Sequence, residues 1–323
     1  MARVFSLKSY LSLKKSAANA IMEKKSEGHM DYSLTILTPL YNRKEYLPRL
    51  FDCLKSQNRT DIQWLVIDDG SLERSDSEFE DFKSKAEFLI EYYYKENGGK
   101  HTALNFSHPY IKADWVLILD SDDALTSDAV DTVTSYVKKY SSRNDIGILS
   151  FQRGTDTGTP FVVFEKDEVI SDHIKFRINE GRDGDCCEVL RTSVLREFPF
   201  PVFAGERYMN ESHLWIGSAD KYKTVYIPKI VYICEYVDGG LTKSGRKFWR
   251  TCPLGGIHSQ IVGLNPRCSL KYRIKRALLI HYYGRIAKKR IKDICRESGH
   301  PIFVWLFTLP GLLLHYMWEK KYK

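Results

Sequence analysis

The residues best suited to chemistry are carboxylates that close short apolar runs. Asp120-Ser121-Asp122-Asp123 follows such a run. Three carboxylates set this close repel one another unless a cation lies among them. A hard divalent ion with oxygen ligands, Mg²⁺ or Mn²⁺, would relieve the repulsion and could also bridge a diphosphate. The competing reading is a helix cap, with Ser121 or Asp122 accepting from the first free N–H groups. Asp68-Asp69-Gly70-Ser71 ends an earlier run; it reads either as a turn or as a place where Asp69 accepts from the N–H of a bound base. Asn97-Gly98-Gly99-Lys100 sets a flexible backbone and one cation before a helical pattern. That combination suits a phosphate or a sugar hydroxyl, or is a plain glycine turn. A P-loop and a GxGxxG fingerprint are both missing, which weighs against a dinucleotide-dependent dehydrogenase.

The elements that must position these groups follow from the apolar pattern. Strands are predicted over Leu34–Thr38, Gln63–Ile67, Leu89–Tyr94, Trp115–Leu119 and Ile146–Phe151, each an almost unbroken apolar run of the kind buried on both faces. Helices are predicted over Glu45–Ser56, Ser75–Lys85, His101–Ile111 and Ser127–Lys139. Leu47, Leu50, Phe51 and Leu54 form one stripe. Such alternation predicts an α/β, doubly wound, mostly parallel sheet, whose ligands bind at the carboxyl ends of the strands. All four polar clusters, beginning with Thr38-Pro39-Leu40-Tyr41-Asn42-Arg43, fall on that one edge. Beyond Phe151 the pattern is irregular. Val162–Phe164, Thr224–Ile227 and Ile230–Glu235 read as strands, Gly181–Cys187 as a polar loop and Leu214–Ser218 as a short helix.

With the order in view, Leu34–Arg43, Val66–Ser71, Gly98–Lys100 and Leu119–Asp123 resemble the family 2 inverting glycosyltransferases of GT-A fold, of the kind that build bacterial glycans and capsules. The resemblance spans about residues 33 to 240. It implies transfer of a sugar from a nucleotide-sugar donor, a UDP-sugar by preference, to a hydroxyl acceptor with inversion. It implies that Thr38, Pro39, Tyr41 and Asp69 hold the nucleoside and that Asp120 faces the ribose or sugar. Asp122 would ligate the metal, with Asp123 as the second candidate ligand. Asn42, Gly99, Lys100 and Ser121 complete the expected donor set. A carboxylate base is implied downstream, in a Glu-Asp pair before Leu-Trp. Here Glu211-Ser212-His213-Leu214-Trp215 keeps the first member and replaces the second with serine. Glu211 is the expected base and Glu206 its rival. Such a base takes the acceptor's proton in the transition state. Gly239 and Gly240 lie in a segment resembling the family's mobile region and would be lid hinges or part of a surface loop.

Composition bounds the rest. The 323 residues, 43% hydrophobic, are enough for one large domain and an appendage. The net charge of +8 is uneven: residues 271–323 carry 13 basic and 3 acidic groups, residues 1–30 carry 6 and 2, and the middle is acidic. Basic ends suit an anionic surface, a membrane before nucleic acid, since no nucleic-acid motif is present. Seven cysteines without a CxxC pair fit free thiols in a reducing cytosol. Residues 1–30 are expected to be a basic arm or a cloning scar, without a secretory signal. The catalytic domain is expected over 31–245, with a donor half at 31–151 and an acceptor half at 152–245. Residues 246–323 form a helical, basic and apolar appendage. Within it, Ile302–Leu314 is too short for a span of about 20 residues and is broken by Pro310-Gly311. It suits the interface of the inner face of the cell membrane, with Trp305, Tyr316 and Trp318 at that level and a lipid-linked glycan as acceptor. Packing on the catalytic domain or on a second copy is the other reading. Two further classes remain in play: a sugar nucleotidyltransferase, whose Gly-rich signature near the first strand is missing, and a non-enzymatic basic lipid- or nucleic-acid-binding protein.

Overall fold

A computed structural model of the chain describes residues 32–165, 167–234 and 250–322. The basic N-terminal arm and the Gly239-Gly240 hinge lie outside the described residues. The strands are β1 (Leu34–Leu40), β2 (Ile62–Asp68), β3 (Leu89–Tyr94), β4 (Trp115–Ile118), β5 (Ala124–Leu125), β6 (Ile146–Gly154), β7 (Val169–Ser171), β8 (Cys186–Arg191) and β9 (Lys223–Ile233). They form one sheet in the order β3-β2-β1-β4-β8-β6-β9-β5, with β7 on β9. The half made of β3, β2, β1 and β4 is parallel throughout.

The unbroken apolar runs are explained by cover on both faces. Along β2, Ile62, Trp64 and Val66 face one core, packed under helices α1 (Leu47–Lys55), α2 (Asp76–Lys85) and α4 (Ala129–Tyr140). Leu65 and Ile67 face the other, with Ala103 and Leu104 of α3 (Lys100–Ser107), Val194 and Leu195 of α5 (Thr192–Glu197), and Leu214 of α6 (Ser212–Ser218). The α1 stripe is buried at all four expected positions. β1 runs two residues further than the apolar pattern suggests and takes in Pro39. Proline is tolerated because the β1–β4 ladder has ended at Leu37 and Ile118, so no partner there needs its missing N–H.

The irregular half departs more from expectation. Val162–Phe164 is not a strand; Val162 and Phe164 bury in a small cluster with Phe176 and Tyr226 without joining the ladder. The polar loop stops at Asp185, because Cys186 and Cys187 open β8, an antiparallel strand between β4 and β6. The two strands read around Pro228 are one, β9, and the proline is absorbed where the register against β6 shifts past Phe151. C-terminal helices follow: α7 (Pro253–Val262), α8 (Leu270–Ile286), α9 (Ile291–Glu297), α10 (Pro301–Leu306) and α11 (Thr308–Tyr322). The basic part of the appendage is two helices, α8 and α9, separated where Lys288 takes a positive φ. Pro310-Gly311 does not break the apolar run. Pro310 sits in the first turn of α11, where its N–H would be unpaired anyway, and the break falls before Thr308. Gly311 lies against His281 of α8, where a Cβ would come within 2.7 Å.

Candidate active site

The carboxyl ends of β1 and β2 are locked together. Asn42 takes φ 50°, its N–H donates to Ser71 Oγ at 2.8 Å, and its Oδ1 accepts from Leu72 N–H at 2.9 Å. Asp68 accepts from Ser71 N–H at 2.8 Å and from the Tyr92 hydroxyl at 2.7 Å. This rigid corner leaves Tyr41 exposed at the edge and Pro39 half-buried. Thr38 is fully buried, and its hydroxyl accepts from Trp64 Nε1 at 3.1 Å, so its side chain braces the sheet.

Asp69 is buried at the hub of the glycine loop. Its Oδ1 pairs with Lys95 Nζ at 2.5 Å and accepts from Gly98 N–H at 3.0 Å; its Oδ2 accepts from Gly99 N–H at 2.6 Å. Both oxygens therefore hold the loop between β3 and α3. A bound base would meet Asp69 already engaged. Gly99 has φ +94°, and a Cβ there would lie 1.9 Å from the Arg207 carbonyl oxygen. Only glycine lets the donor-side loop touch the segment that carries Glu211.

At the end of β4 the carboxylates split in role. The Asp120 carboxylate meets Lys100 Nζ at 2.7 Å, and the same ammonium lies 3.3 Å from Glu211 Oε1. Burial pulls the Lys100 ammonium down, but Asp120 and Glu211 outweigh it and hold it above its ordinary value. Burial pushes Asp120 up, while Lys100 and Arg153 together bring it below the usual carboxylate range. Asp122 is half-buried, and its carbonyl accepts from Arg49 at 2.9 Å. Asp123 turns inward: it accepts from the Tyr232 hydroxyl at 2.7 Å. Burial, then the negative charge of Asp120, pushes it up to about 6, with Asp122 adding to the effect. Asp123, expected beside Asp122 as a metal ligand, is placed here against Tyr232. Ser121 is also buried.

The two candidate bases separate cleanly. Glu206 is buried, and its two oxygens accept from Leu254 and Gly255 N–H, each at 2.7 Å. It caps the amino end of α7. Glu211 instead lines a cleft of about 1020 Å³ together with Lys100 and Asp120.

That cleft contains residues that no local pattern marked. Glu188 of β8 enters it, and burial pushes its carboxyl up to about 8 against the pull of Arg153 and Arg177. Arg153, from the end of β6, stacks 4.1 Å over the Tyr232 ring. Tyr232 receives the Asp120 N–H at 3.0 Å as well as donating to Asp123. These residues come from three strands, β6, β8 and β9, that the sheet order brings side by side. Ser269, Lys271, Tyr272, Lys275 and Arg276, from the start of α8, form a further wall. The expected acceptor half, ending at 245, omits it. Cys186 lines the cleft and Cys187 is buried behind it; all seven cysteines are free.

The sheet order, with the carboxylates after β4 beside the cleft, defines a GT-A fold. Solved structures agree at the level of fold. Staphylococcus aureus TarS residues 1–349, in complex with UDP-GlcNAc, superposes with TM-score 0.56 at 14% identity, covering 90% of this chain and 93% of that one. A Pyrobaculum calidifontis mannosyltransferase in complex with GDP-Man and Mn²⁺ gives 0.52 at 16%, covering 94% and 89%. Residues 35–193, just under half of the chain, match glycosyl transferase family 2, and the chain carries a domain of that family. Among curated relatives, glycosyltransferase GlyA of Streptococcus pneumoniae is 29% identical over 118 residues, 36% of this chain and 17% of its own length. A teichoic acid poly(glycerol phosphate) polymerase of Staphylococcus epidermidis is 27% identical over 170 residues, 50% of this chain and 22% of its own length. The chain spans less than a quarter of either relative.

Proposed function

We propose that the chain transfers a sugar from a nucleotide sugar, by preference a UDP-sugar, to an acceptor hydroxyl, with inversion, in the assembly of a surface glycan. One observation carries this reading: Lys100 joins Asp120, at the end of β4, to Glu211, at the start of α6, in a single cleft. A donor laid over the ends of β1 to β4 would present its anomeric carbon toward Glu211. Glu211 then removes the acceptor proton from the face opposite the leaving diphosphate. Lys100 lies where it can donate to the departing oxygens. Pro39, Tyr41 and Asn42 border the nucleoside end, and Asp69 holds the Gly98-Gly99 backbone against it.

A divalent cation, Mn²⁺ or Mg²⁺, fits the donor set. Asp120, Asp122 and Asp123 set three hard carboxylates at the end of β4, with Lys100 paired to Asp120 and the Tyr232 hydroxyl donating to Asp123. Among the described residues no three metal-ligating side chains converge. Asp122 would hold the ion, with diphosphate oxygens and water completing its shell, as such ions commonly require. Bound there, the cation would neutralise charge on the leaving diphosphate. The test is a thermal-shift screen of UDP- and GDP-sugars with and without Mn²⁺. A UDP-sugar shift that needs Mn²⁺ and vanishes in Asp122→Ala is expected; a shift that survives that substitution would remove Asp122 from the site.

The appendage supports placement on a membrane surface. No described helix is long and apolar enough to cross one. Yet Ile302, Trp305 and Leu306 of α10 and Leu309, Leu313 and Met317 of α11 are exposed. On α11 these recur at helical spacing on one side, and basic residues of α8 and α9 precede them in the chain. Tyr316 is exposed as expected for an interfacial aromatic, but Trp318 turns inward, its ring 5.0 Å from Tyr282. Peripheral attachment at the inner face of the cell membrane, near a lipid-linked acceptor, is the reading this supports.

A further inference from the structure

The transfer chemistry leaves one wall of the cleft unused, and that wall is cationic. The first two turns of α8 bring Lys271 and Lys275 into it, one turn apart on one helix face, and Arg276 beside them. Arg207 enters from the segment leading to Glu211. Arg207, Lys271 and Lys275 are exposed, and among the described residues none of the three forms an ion pair. Their placement works against the helix that carries two of them. The amino end of a helix is already positive and ordinarily gathers Asp and Glu. The first turn of α8 holds no acid. Asp183 and Asp185 line the facing loop and offset part of the charge, yet neither pairs with it. Lysines at this end raise the energy of the unliganded protein by mutual repulsion, which an anion between them would relieve.

Elsewhere in the same cleft the charges face opposite partners: Lys100 meets Asp120 and Glu211, and Arg153 and Arg177 act on Glu188. The charge of Lys271, Lys275 and Arg207 thus lies in the same cleft but outside the Lys100 ion-pair cluster. A neutral glycan would be met there by hydroxyl-accepting amides, carboxylates and flat aromatic faces. Exposed ammonium groups instead suit phosphate oxygens.

We propose that the acceptor carries a phosphate close to its nucleophilic hydroxyl, and that Lys271, Lys275 and Arg207 bind that phosphate. This rests on the reading of Glu211 as the acceptor-side base. The phosphate could belong to a polyol-phosphate chain or to the diphosphate of a lipid-linked sugar, which share this chemistry. The experiment measures binding to the full chain of a soluble glycerol phosphate oligomer, of a polyprenyl diphosphate sugar in neutral detergent micelles, and of uncharged polyglycerol. It is repeated with Lys271→Ala/Lys275→Ala and, separately, with UDP as ligand. The expected result is binding of at least one phosphate-bearing probe, weaker at high salt, with no binding of polyglycerol. The double variant loses about tenfold in that affinity and keeps its UDP affinity within twofold. Whichever phosphate probe binds names the source. Equal binding of polyglycerol, or undiminished binding by the double variant, would overturn the proposal. A parallel loss of UDP affinity would also overturn it, by assigning these lysines to the donor diphosphate. Failure of the glycosyltransferase reading itself would appear separately, as no UDP binding by the unaltered protein.

Discussion

Gly99→Ala should damage turnover far more than it damages stability. Gly99 has φ +94° and ψ 156°, a region that costs a residue with a side chain about 1–3 kcal/mol. At about 2 °C per kcal/mol for a chain of this size, Tm should fall by a few degrees. The larger effect is steric. The added Cβ would stand 1.9 Å from the Arg207 carbonyl oxygen. Because the opposing atom is backbone, no rotamer change removes the overlap, and the 207–211 segment or the Gly98-Gly99 loop must retreat by about 1 Å. A displacement of that size between reacting groups can cost about 100-fold in rate. The assay is nucleoside diphosphate release from the donor, run beside a melting curve. Gly158→Ala is the control, since Gly158 also has a positive φ but nothing lies within 4 Å of where its methyl would stand. It should lose about 1–2 kcal/mol and no rate. A folded Gly99→Ala protein turning over within threefold of the unaltered one would refute this link between the donor loop and Glu211.

Other expectations follow from single contacts. Glu206→Gln removes one of two charge-assisted bonds to the start of α7 and should cost about 1.5–3 kcal/mol while leaving kcat within a few-fold, read by denaturant titration and turnover. A loss of kcat as large as that of Glu211→Gln would make Glu206 a candidate base again. His258 and His213 meet at 2.9 Å, and burial, then the neighbouring His213, lowers His258 to about 4. The unfolded chain then takes up protons first, so this stability is complete above about 6.5 and is lost as pH falls toward 4. His258→Asn should flatten that part of the stability curve; an unchanged slope would show that other groups set it. Trp305→Glu/Leu309→Glu should reduce sedimentation with anionic vesicles at least tenfold without changing Tm, and equal sedimentation would argue for a different role of that face.

The polar edge of the sheet was legible because its signals are local. A buried strand writes itself as a continuous apolar run, and the polar residues that follow it mark the strand's end. The four clusters therefore pointed to one sheet edge before any geometry was known. What they do there was not legible. Thr38 faces Trp64, Asp123 faces Tyr232 and Asp69 holds its own loop, and each of these depends on which strand lies alongside. The acceptor side was harder still. β8 opens with two cysteines in a polar surrounding and pairs antiparallel, so neither its start nor Glu188's place in the cleft shows in a periodicity. The α8 wall comes from a helix that reads as surface, because exposed lysines at a cleft and exposed lysines in open solvent look the same in one dimension. Pro310-Gly311 misled for a related reason: proline breaks a helix interior but is accommodated in a first turn.

If Glu211 and the carboxylates after β4 serve one transfer reaction, Glu211→Gln should separate binding from turnover. In paired measurements against the unaltered protein, donor affinity should stay within about threefold while nucleoside diphosphate release falls at least 100-fold. Unimpaired release by the Glu211→Gln protein would contradict that reading.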